Sequence, residues 1–483
     1  MERRTKRILA IVLVAIIGTA SGITIWLVLR PYQWSAADCP GVTHLDIPPE
    51  RIIKIGVIGD LNRIQGEGQK NGAWLRAYEI NTHGGIDIGG TTYYIGITAE
   101  NSDEANPILD TSIGVAAAQR LIDYKQVQFA TGGFRTEALL AYRDFFMERK
   151  IIFMNTGAAT STFCKNVSNN YPVYKYFFQP NPINTTSLAK ELITLIMGTA
   201  YVLSLPVPFG TGHNVTRFSF MREALTWTED FRNAMVAVLT NLTGTNPLFE
   251  MDYTGTDIAF PQDVQPAQLN TYWQWIENNN TQIVIPIISG VAGLPFVNTY
   301  ADNTPHCIPI GINVEAQAGD FWTRTGGKCE YGVTLESVFK TNKTEKTLKF
   351  WNNYIGNHTN FGSPTPISPI YTATGSYDAV NQLAWAIETA QSLNPDTIVS
   401  TLETLNRTNY LVGAGGWGSY DPSHCITEGW PYGTALAIQW YSGNKTMVPG
   451  PGIYPSGLGI ISPYPLQNMS PLQLPSGGLY YYD

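Results

Sequence analysis

Apolar and polar positions between residues 52 and 160 follow one another in blocks that predict strand, helix, strand, helix, strand. The first block, IIKIGVIGDL (Ile52–Leu61), is almost wholly apolar, as expected for a strand covered on both faces. Next come a polar turn, NRIQGEGQ, and a helix, NGAWLRAYEIN. The helix is followed by Gly84 and Gly85, and glycine suits the left-handed conformation at a helix end. Strands that alternate with helices in this way predict a parallel sheet wrapped by helices.

Three loops of this sheet are the expected ligand loops. Further strands are predicted at YYIGITAEN, VQFATGG and IIFMNTG, with a helix beginning at Thr136. Open α/β sheets bind ligands at the carboxyl ends of their strands. The loops after Leu61, Gly133 and Asn155 should therefore surround a ligand.

The remaining chain predicts a second α/β lobe. Its most apolar strands are QIVIPIIS, which ends at Ser289, and Cys307–Val314, and TALAIQW is expected to be its last strand. The chain should cross between the lobes at FFQPNP, again near 332–338 and again at 426–432. The predicted division is 1–30 cytoplasmic tip and transmembrane anchor, 31–51 linker, 52–178 plus 337–427 lobe 1, 179–336 plus 428–447 lobe 2, and 448–483 a Pro, Gly and Tyr-rich tail that wraps or stays free.

An apolar segment near the start predicts membrane attachment. Ile8–Leu29 is free of charged residues and long enough to span a bilayer as a helix, and the ERRTKR run before it predicts a cytoplasmic N-terminus. A cleaved secretory signal is the alternative, since GTASG offers small residues for cleavage. In both cases the bulk of the chain is expected outside the cell. With an uncleaved anchor, the chain would be a single-pass protein of the cell membrane.

Composition favours an extracellular protein and argues against other classes. Of 483 residues, 44% are hydrophobic, enough for two full cores, and only 14% are charged, below the usual proportion of about a quarter. A net charge of −8 without a basic stripe gives no reason to expect nucleic acid. The chain lacks a Walker loop, HExxH, GxSxG and a GxGxxG in its first turn, so we expect neither an enzyme nor a cofactor.

Ten Asn-X-Ser/Thr sequons favour a glycosylated surface protein, although chance in an Asn and Thr-rich chain is the alternative. They are Asn166, Asn184, Asn214, Asn241, Asn279, Asn342, Asn357, Asn406, Asn444 and Asn468. Glycosylation, an anchor and the lack of a lipobox together suggest an archaeal cell surface, with glycosylated bacteria as the alternative.

Five cysteines suit an oxidising compartment and leave at least one unpaired. Cys307 and Cys329 bracket a predicted strand and its helix, so we predict a disulfide between them. His306 and His424 each precede a cysteine, but their spacing matches no zinc pattern, and no metal site is expected.

Five segments in order carry a family resemblance: IKIGVIGDL, GAWLRAYEINTHGGI, ENSD, GGFRTEA and IIFMNTGAATS. The set resembles the first lobe of branched-chain amino-acid-binding proteins, the type I solute-binding proteins of ABC importers. IPIGINVEAQ is similar to the family's second-lobe strand that ends in a ligand-binding acid, and SYDAVNQLAWAIETA to its late long helix. The resemblance covers about Ile52 to Trp440. It implies the periplasmic binding protein type I fold, in which two Rossmann-like lobes with parallel-rich sheets are joined by a three-crossover hinge.

The candidate ligand-binding residues follow from the loops and from this resemblance. They are Gln65, Arg135, Thr136, Ala158, Ala159, Thr160, Trp227 and Glu315. Thr136 at a helix N-terminus and Arg135 beside it would hold a carboxylate, although Arg135 departs from the small hydroxyl residues often seen in the family. The resemblance implies that Glu315 holds an ammonium group and that Trp227 walls the ligand. Each of these four residues also has a purely structural alternative. Thr136 could cap its helix and Arg135 could be a surface charge, while Glu315 could be a solvated acid and Trp227 could serve helix packing.

The expected function is capture of an amino acid or short peptide and its delivery to an ABC permease. One alternative is a glycosylated surface or appendage protein that self-assembles on the same fold. A second alternative is a ligand-sensing ectodomain.

Overall fold

Two α/β bodies make up the computed structural model. It describes residues 31–42, 46–206, 211–242, 252–341, 344–413, 416–429, 432–448, 472–475 and 478–479. The predicted membrane span at 8–29 lies outside these residues, and no helix among those described combines the length and apolarity that a membrane crossing needs.

The strands and helices are numbered here in chain order. The strands are β1 Ile52–Gly59, β2 Ile86–Ile88, β3 Thr91–Asn101, β4 Phe129–Gly132, β5 Ile152–Asn155, β6 Phe177–Phe178, β7 Arg217–Glu223, β8 Asp252–Phe260, β9 Ile283–Ile288, β10 Ile308–Asn313, β11 Val333–Glu336, β12 Asn406–Arg407, β13 Gly418–Ser419, β14 Leu436–Tyr441 and β15 Asn444–Met447. The helices are α1 Ile64–Thr82, α2 Thr111–Gln119, α3 Thr136–Glu148, α4 Thr162–Asn169, α5 Tyr171–Tyr174, α6 Thr185–Ser204, α7 Thr226–Leu242, α8 Pro266–Asn278, α9 Gly293–Asn303, α10 Phe321–Thr325, α11 Glu345–Gly356, α12 Tyr371–Ala390 and α13 Pro395–Leu402.

The first lobe is built on a six-stranded sheet in the order β2-β3-β1-β4-β5-β6. All its strand pairs are parallel except β2 with β3. Strand β1 lies at the centre, and its residues are buried almost without a break, which explains its continuous apolar run. The predicted parallel sheet wrapped by helices is therefore confirmed.

Helix α1 begins earlier than predicted, because part of the polar segment NRIQGEGQ is helical. A Cβ on Gly66 would lie 2.2 Å from the Asp60 carbonyl oxygen, and one on Gly72 would lie 2.0 Å from that of Ala373. Glycine at these positions lets α1 pack closely against the end of β1 and against α12. This packing outweighs the low helix propensity of glycine.

The second lobe is built on a seven-stranded sheet in the order β15-β14-β11-β10-β9-β7-β8. Strands β7 to β11 pair in parallel, and β14 and β15 add antiparallel pairs at one edge. TALAIQW supplies β14 of this sheet, but it is not the last strand as predicted, because β15 follows and pairs with it. In the C-terminal segment, Gln473 exchanges two hydrogen bonds with Gln439 of β14, so residues 472–475 run along this edge.

Two of the passages between the lobes lie side by side. Gln179 N donates to the His424 carbonyl oxygen at 2.9 Å, and Ile426 N donates back to the Gln179 carbonyl oxygen at 2.9 Å. The residues before the first lobe also pack onto it, since Trp34 is buried and its Nε1 donates to the Lys125 carbonyl oxygen at 2.7 Å.

The predicted Cys307–Cys329 disulfide is wrong. Both are free thiols in the second-lobe core, and the disulfide joins Cys164 of α4 to Cys425, with their Cα atoms 6.0 Å apart. Burial raises the pKa of both free thiols, that of Cys329 to about 11. They therefore pack as small apolar groups.

One predicted glycosylation site is incompatible with the structure. Asn184 is buried, and its amide donates to Cys425 Sγ at 3.5 Å, which leaves no room for a glycan. Asn214, Asn406 and Asn444 are exposed, and Asn166, Asn279 and Asn357 are half-buried. Asn342 and Asn468 lie outside the described residues.

Candidate ligand-binding site

A cavity lies between the two lobes, at the carboxyl ends of the strands of both sheets. About 60 Å³ of it is open to the centre of a water molecule, several times the roughly 10–15 Å³ that one water needs. Its lining is Phe134, Arg135, Gly157, Ala159, Pro182, Ile183, Leu188, Leu225, Trp227, Ser289, Ile312, Val314, Gln317, Leu335, Ser337, Tyr371 and Ala435. The cavity therefore suits one small molecule with an apolar body.

The first-lobe wall depends on the glycine pair before α3. Gly132 has φ +134, and a Cβ there would lie 1.9 Å from the Ile58 carbonyl oxygen. Gly133 has φ +78, which glycine adopts without strain. The pair turns the chain so that Phe134 and Arg135 reach the cavity.

Glu104 fixes this turn from behind. Its Oε2 accepts hydrogen bonds from Phe134 N at 3.0 Å and from Arg135 N at 3.1 Å, and its Oε1 accepts one from Ser102 Oγ at 2.8 Å. Burial raises the pKa of Glu104 to about 7, while these hydrogen bonds oppose the rise. Two backbone donors at the start of α3, expected to face a ligand carboxylate, are thus used by a carboxylate of the protein.

Arg135 is the charged residue in the lining. Its Nη1 donates to the Asn106 carbonyl oxygen at 3.0 Å and, across the lobes, to Gln262 Oε1 at 2.9 Å. The side chain is 12% exposed, and Nε lies 3.4 Å from Glu137 Oε2. The guanidinium is therefore held in place at the cavity by hydrogen bonds of its Nε and Nη1 groups.

The second lobe supplies an aromatic wall and two hydroxyls. Trp227 lines the cavity and packs edge-on against Phe231. Ser289 is held by Glu223, which accepts from both its backbone N and its Oγ. Ser337 Oγ is buried and has no hydrogen-bond partner among the described residues, so a ligand acceptor or donor would satisfy it.

The lobes are closed on each other around the cavity. Gln65 Nε2 donates to the Ser289 carbonyl oxygen at 3.0 Å. Thr226 Oγ1 donates to Glu137 Oε1 at 2.8 Å. Gln65 was predicted to contact the ligand, and the structure places it instead in a hydrogen bond that holds the lobes together.

Glu315 does not reach the cavity. Its Oε2 lies 2.6 Å from Arg324 Nη1, within the second lobe, whereas its neighbours Val314 and Gln317 line the cavity. The reason is local: β10 ends in a 3-10 turn, Val314–Gln317, and the Glu315 side chain is directed at α10. The expected contact between Glu315 and a ligand ammonium group is therefore not found.

The other predicted residues lie near the cavity but contribute unequally. Ala159 is in the lining, whereas Ala158 N donates to Asn155 Oδ1 at 3.0 Å, and Thr160 Oγ1 donates to Thr162 Oγ1 at 3.2 Å. Thr136 is buried beside the lining, with its Oγ1 unpartnered among the described residues.

Three polar lining residues, Gln317, Ser337 and Tyr371, were missed by sequence reasoning. Gln317 Nε2 donates to the Leu335 carbonyl oxygen at 3.0 Å, and its Oε1 accepts from Tyr371 N at 3.3 Å, which joins the lobes beneath the cavity. Ser337 directly follows β11, so the rule that ligands bind at strand carboxyl ends points to it. The position of Tyr371 at the start of α12 carried no such signal.

Comparisons with known proteins place this geometry in a family. The model of the periplasmic binding protein family matches residues 52–428. A leucine-binding protein from Thermotoga maritima has 14% identity and a TM-score of 0.63 over 82% of this chain and 97% of its own. A branched-chain amino-acid transporter substrate-binding protein from Streptococcus pneumoniae, in complex with isoleucine, has 15% identity and a TM-score of 0.61 over 82% and 97%.

A solute-binding protein of an ABC transporter from Rhodopseudomonas palustris, in complex with p-hydroxybenzoic acid, has 16% identity and a TM-score of 0.62 over 82% of this chain and 95% of its own. No curated protein sequence matches the chain. The chain belongs to the periplasmic binding protein family, and its fold is that of the substrate-binding proteins named above.

Proposed function

We propose that this chain captures a small apolar carboxylic acid between its lobes and delivers it to the permease of an ABC importer. The observation that carries the proposal is the lining of the interlobe cavity: one guanidinium, two serine hydroxyls and an otherwise largely apolar wall. A carboxylate would bind the guanidinium, and an apolar body would be covered by Trp227 and the aliphatic residues.

An amino acid is the second candidate ligand. Isoleucine, bound in the Streptococcus pneumoniae protein, and p-hydroxybenzoic acid, bound in the Rhodopseudomonas palustris protein, each combine a carboxylate with an apolar body. An amino acid adds an ammonium group, and none of the described lining residues carries a carboxylate to receive it. Desolvating that ammonium group without a partner would cost affinity, so we place the simple carboxylic acid first.

Titration calorimetry tests the choice of ligand. The purified chain should bind benzoate or 4-hydroxybenzoate more tightly than leucine or isoleucine, and a neutral sugar should not bind. Tighter binding of leucine would make an amino acid the preferred ligand instead. Failure of every small molecule to bind would favour the surface-protein alternative.

Replacing Arg135 with glutamine should weaken binding of the carboxylic acid by about 1.5–3 kcal/mol, because a charged hydrogen bond is lost. Arg135→Lys keeps the charge without the planar fork and should lose less. Arg149→Gln is the matched control, since Arg149 is an exposed arginine that pairs with exposed Asp123 away from the cavity, and it should leave the affinity unchanged. Calorimetry on all four proteins measures the difference, and equal affinity of Arg135→Gln and wild type would exclude the guanidinium from the site.

We further propose that residues 8–29 anchor the receptor in the cell membrane, with the binding domain outside. The Cys164–Cys425 disulfide supports an oxidising compartment. Mass spectrometry of the native protein should recover peptides from residues 8–29 in the membrane fraction. A mature N-terminus near Ser21 or Ser35 would instead identify a cleaved signal.

A further inference from the structure

A second recess lies on the first lobe, between α1, α11, α12 and the segment that follows α13. None of its lining residues also lines the interlobe cavity. About 490 Å³ of it is open to the centre of a water molecule, far more than in the interlobe cavity. We call it the basic groove and define it by Arg76, Lys346, Lys349, Arg407, Trp385 and Tyr410.

Positive charge in the basic groove is only partly neutralised. Arg76 pairs with Glu79 at 3.1 Å. Within the described chain, Lys346, Lys349 and Arg407 have no carboxylate at ion-pairing distance, and Glu388 is the other acid in the lining. An excess of cations here is opposite in sign to the net charge of −8 of the whole chain.

Like charges in the groove are close enough to act on one another. Burial lowers the pKa of Lys346, and nearby Asp378 opposes that shift. The positive charges of Arg76, Arg407 and Lys349 lower it further. Such a cluster is repulsive on its own, and a bound anion would relieve the repulsion.

Aromatic rings hold two of these cations without using their hydrogen-bond donors. The Arg407 guanidinium lies over the Trp385 ring at 5.9 Å and over the Tyr410 ring at 5.5 Å, and Lys346 Nζ lies 5.1 Å from the Tyr410 ring centre. Lys346 Nζ is also 3.4 Å from the Tyr410 carbonyl oxygen, a long contact that uses one of three donors. Cation–π contact therefore positions the charges while most N–H groups stay available.

We propose that the basic groove binds a multivalent oxyanion, a phosphate or polycarboxylate group, at a site separate from the interlobe cavity. A guanidinium can hold two oxygens of such a group at once, and two ammonium groups add point charges around it. A monovalent, mostly apolar ligand would leave the cluster unneutralised, so this second ligand differs in chemistry from the one proposed for the cavity.

Titration calorimetry of the full chain with inorganic phosphate and with citrate tests the proposal. We expect saturable binding of at least one of them. Tighter binding of phosphate would identify a phosphoryl group as the ligand, and tighter binding of citrate would identify a polycarboxylate. The double variant Lys349→Gln, Arg407→Gln should weaken that binding at least about tenfold. Both side chains are exposed, so the variant should melt as the wild type does.

Lys328→Gln is the matched control, because Lys328 is an exposed lysine on the second lobe that pairs with Asp302. It should bind phosphate or citrate as the wild type does, and neither variant should change binding in the interlobe cavity. The proposal is overturned if the wild type binds neither anion at millimolar concentration, or if the double variant binds as tightly as the wild type.

Discussion

Replacing Lys445 with methionine should lower the free energy of unfolding by about 3–5 kcal/mol, because it leaves a buried carboxylate without its partner. Lys445 Nζ lies 2.6 Å from Glu336 Oε1, and the two side chains are 9% and 1% exposed. The same ammonium group donates to the Gln317 carbonyl oxygen at 2.6 Å. Glu336 sits between Leu335 and Ser337 of the cavity lining, so the pair lies directly beneath the binding site.

The stability lost in Lys445→Met should grow as the pH rises. Burial raises the pKa of Glu336 from 4.5 to about 7, while Lys445 opposes the rise. A carboxyl whose pKa is raised by folding contributes stability that is complete below about pH 4.5 and is lost as the pH passes through about 7. Without Lys445 that pKa rises further, so the difference between variant and wild type should be larger at about pH 8 than at about pH 5.5.

Urea unfolding at both pH values measures this prediction. The double variant Glu336→Gln, Lys445→Met removes both charges and should recover most of the lost stability. If the free energy of unfolding of Lys445→Met at pH 8 is within about 1 kcal/mol of the wild-type value, the pair does not stabilise the fold.

The main strands were predictable because burial dictates their composition. Strands β1, β9 and β10 are covered on both faces, so their sequences are continuous apolar runs. Strand β8, Asp252–Phe260, was missed because it lies at the edge of its sheet and carries polar and exposed residues. The start of α1 was missed because contacts from Gly66 and Gly72 to distant backbone, invisible in the sequence, override local propensity.

The site was predictable to the level of loops but not of side-chain directions. Arg135, Ala159 and Trp227 follow strands or begin helices at the cleft, and all three line the cavity. Glu315 also follows a strand at the cleft, yet the 3-10 turn directs it at Arg324, nine residues later. The sequence identifies which residue follows a strand. The direction of that residue's side chain depends on the conformation of the following turn, which tertiary packing determines.

Cysteine pairing shows the same limit. Cys307 and Cys329 are near in sequence and flank neighbouring strands, but both are buried as free thiols. The actual partners, Cys164 and Cys425, are separated by 261 residues and meet because α4 packs beside Gln179, which pairs with the passage that carries Cys425. Connectivity over such a distance follows only from the complete topology.

Removing this disulfide should therefore cost about 2–5 kcal/mol in free energy of unfolding. It ties α4 to the passage at residue 425, and the cross-link closes a long loop in the unfolded chain, which limits the entropy gained on unfolding. The double variant Cys164→Ala, Cys425→Ala should unfold at lower urea concentration than the wild type. Dithiothreitol should lower the stability of the wild type to that of the variant and leave the variant unchanged.

Cys307→Ala is the control for losing a buried sulfur without losing a cross-link, and it should still respond to dithiothreitol. Thiol titration of the denatured, unreduced wild type should find three free thiols, those of Cys39, Cys307 and Cys329. Five free thiols, or a double variant as stable as the wild type, would contradict the prediction.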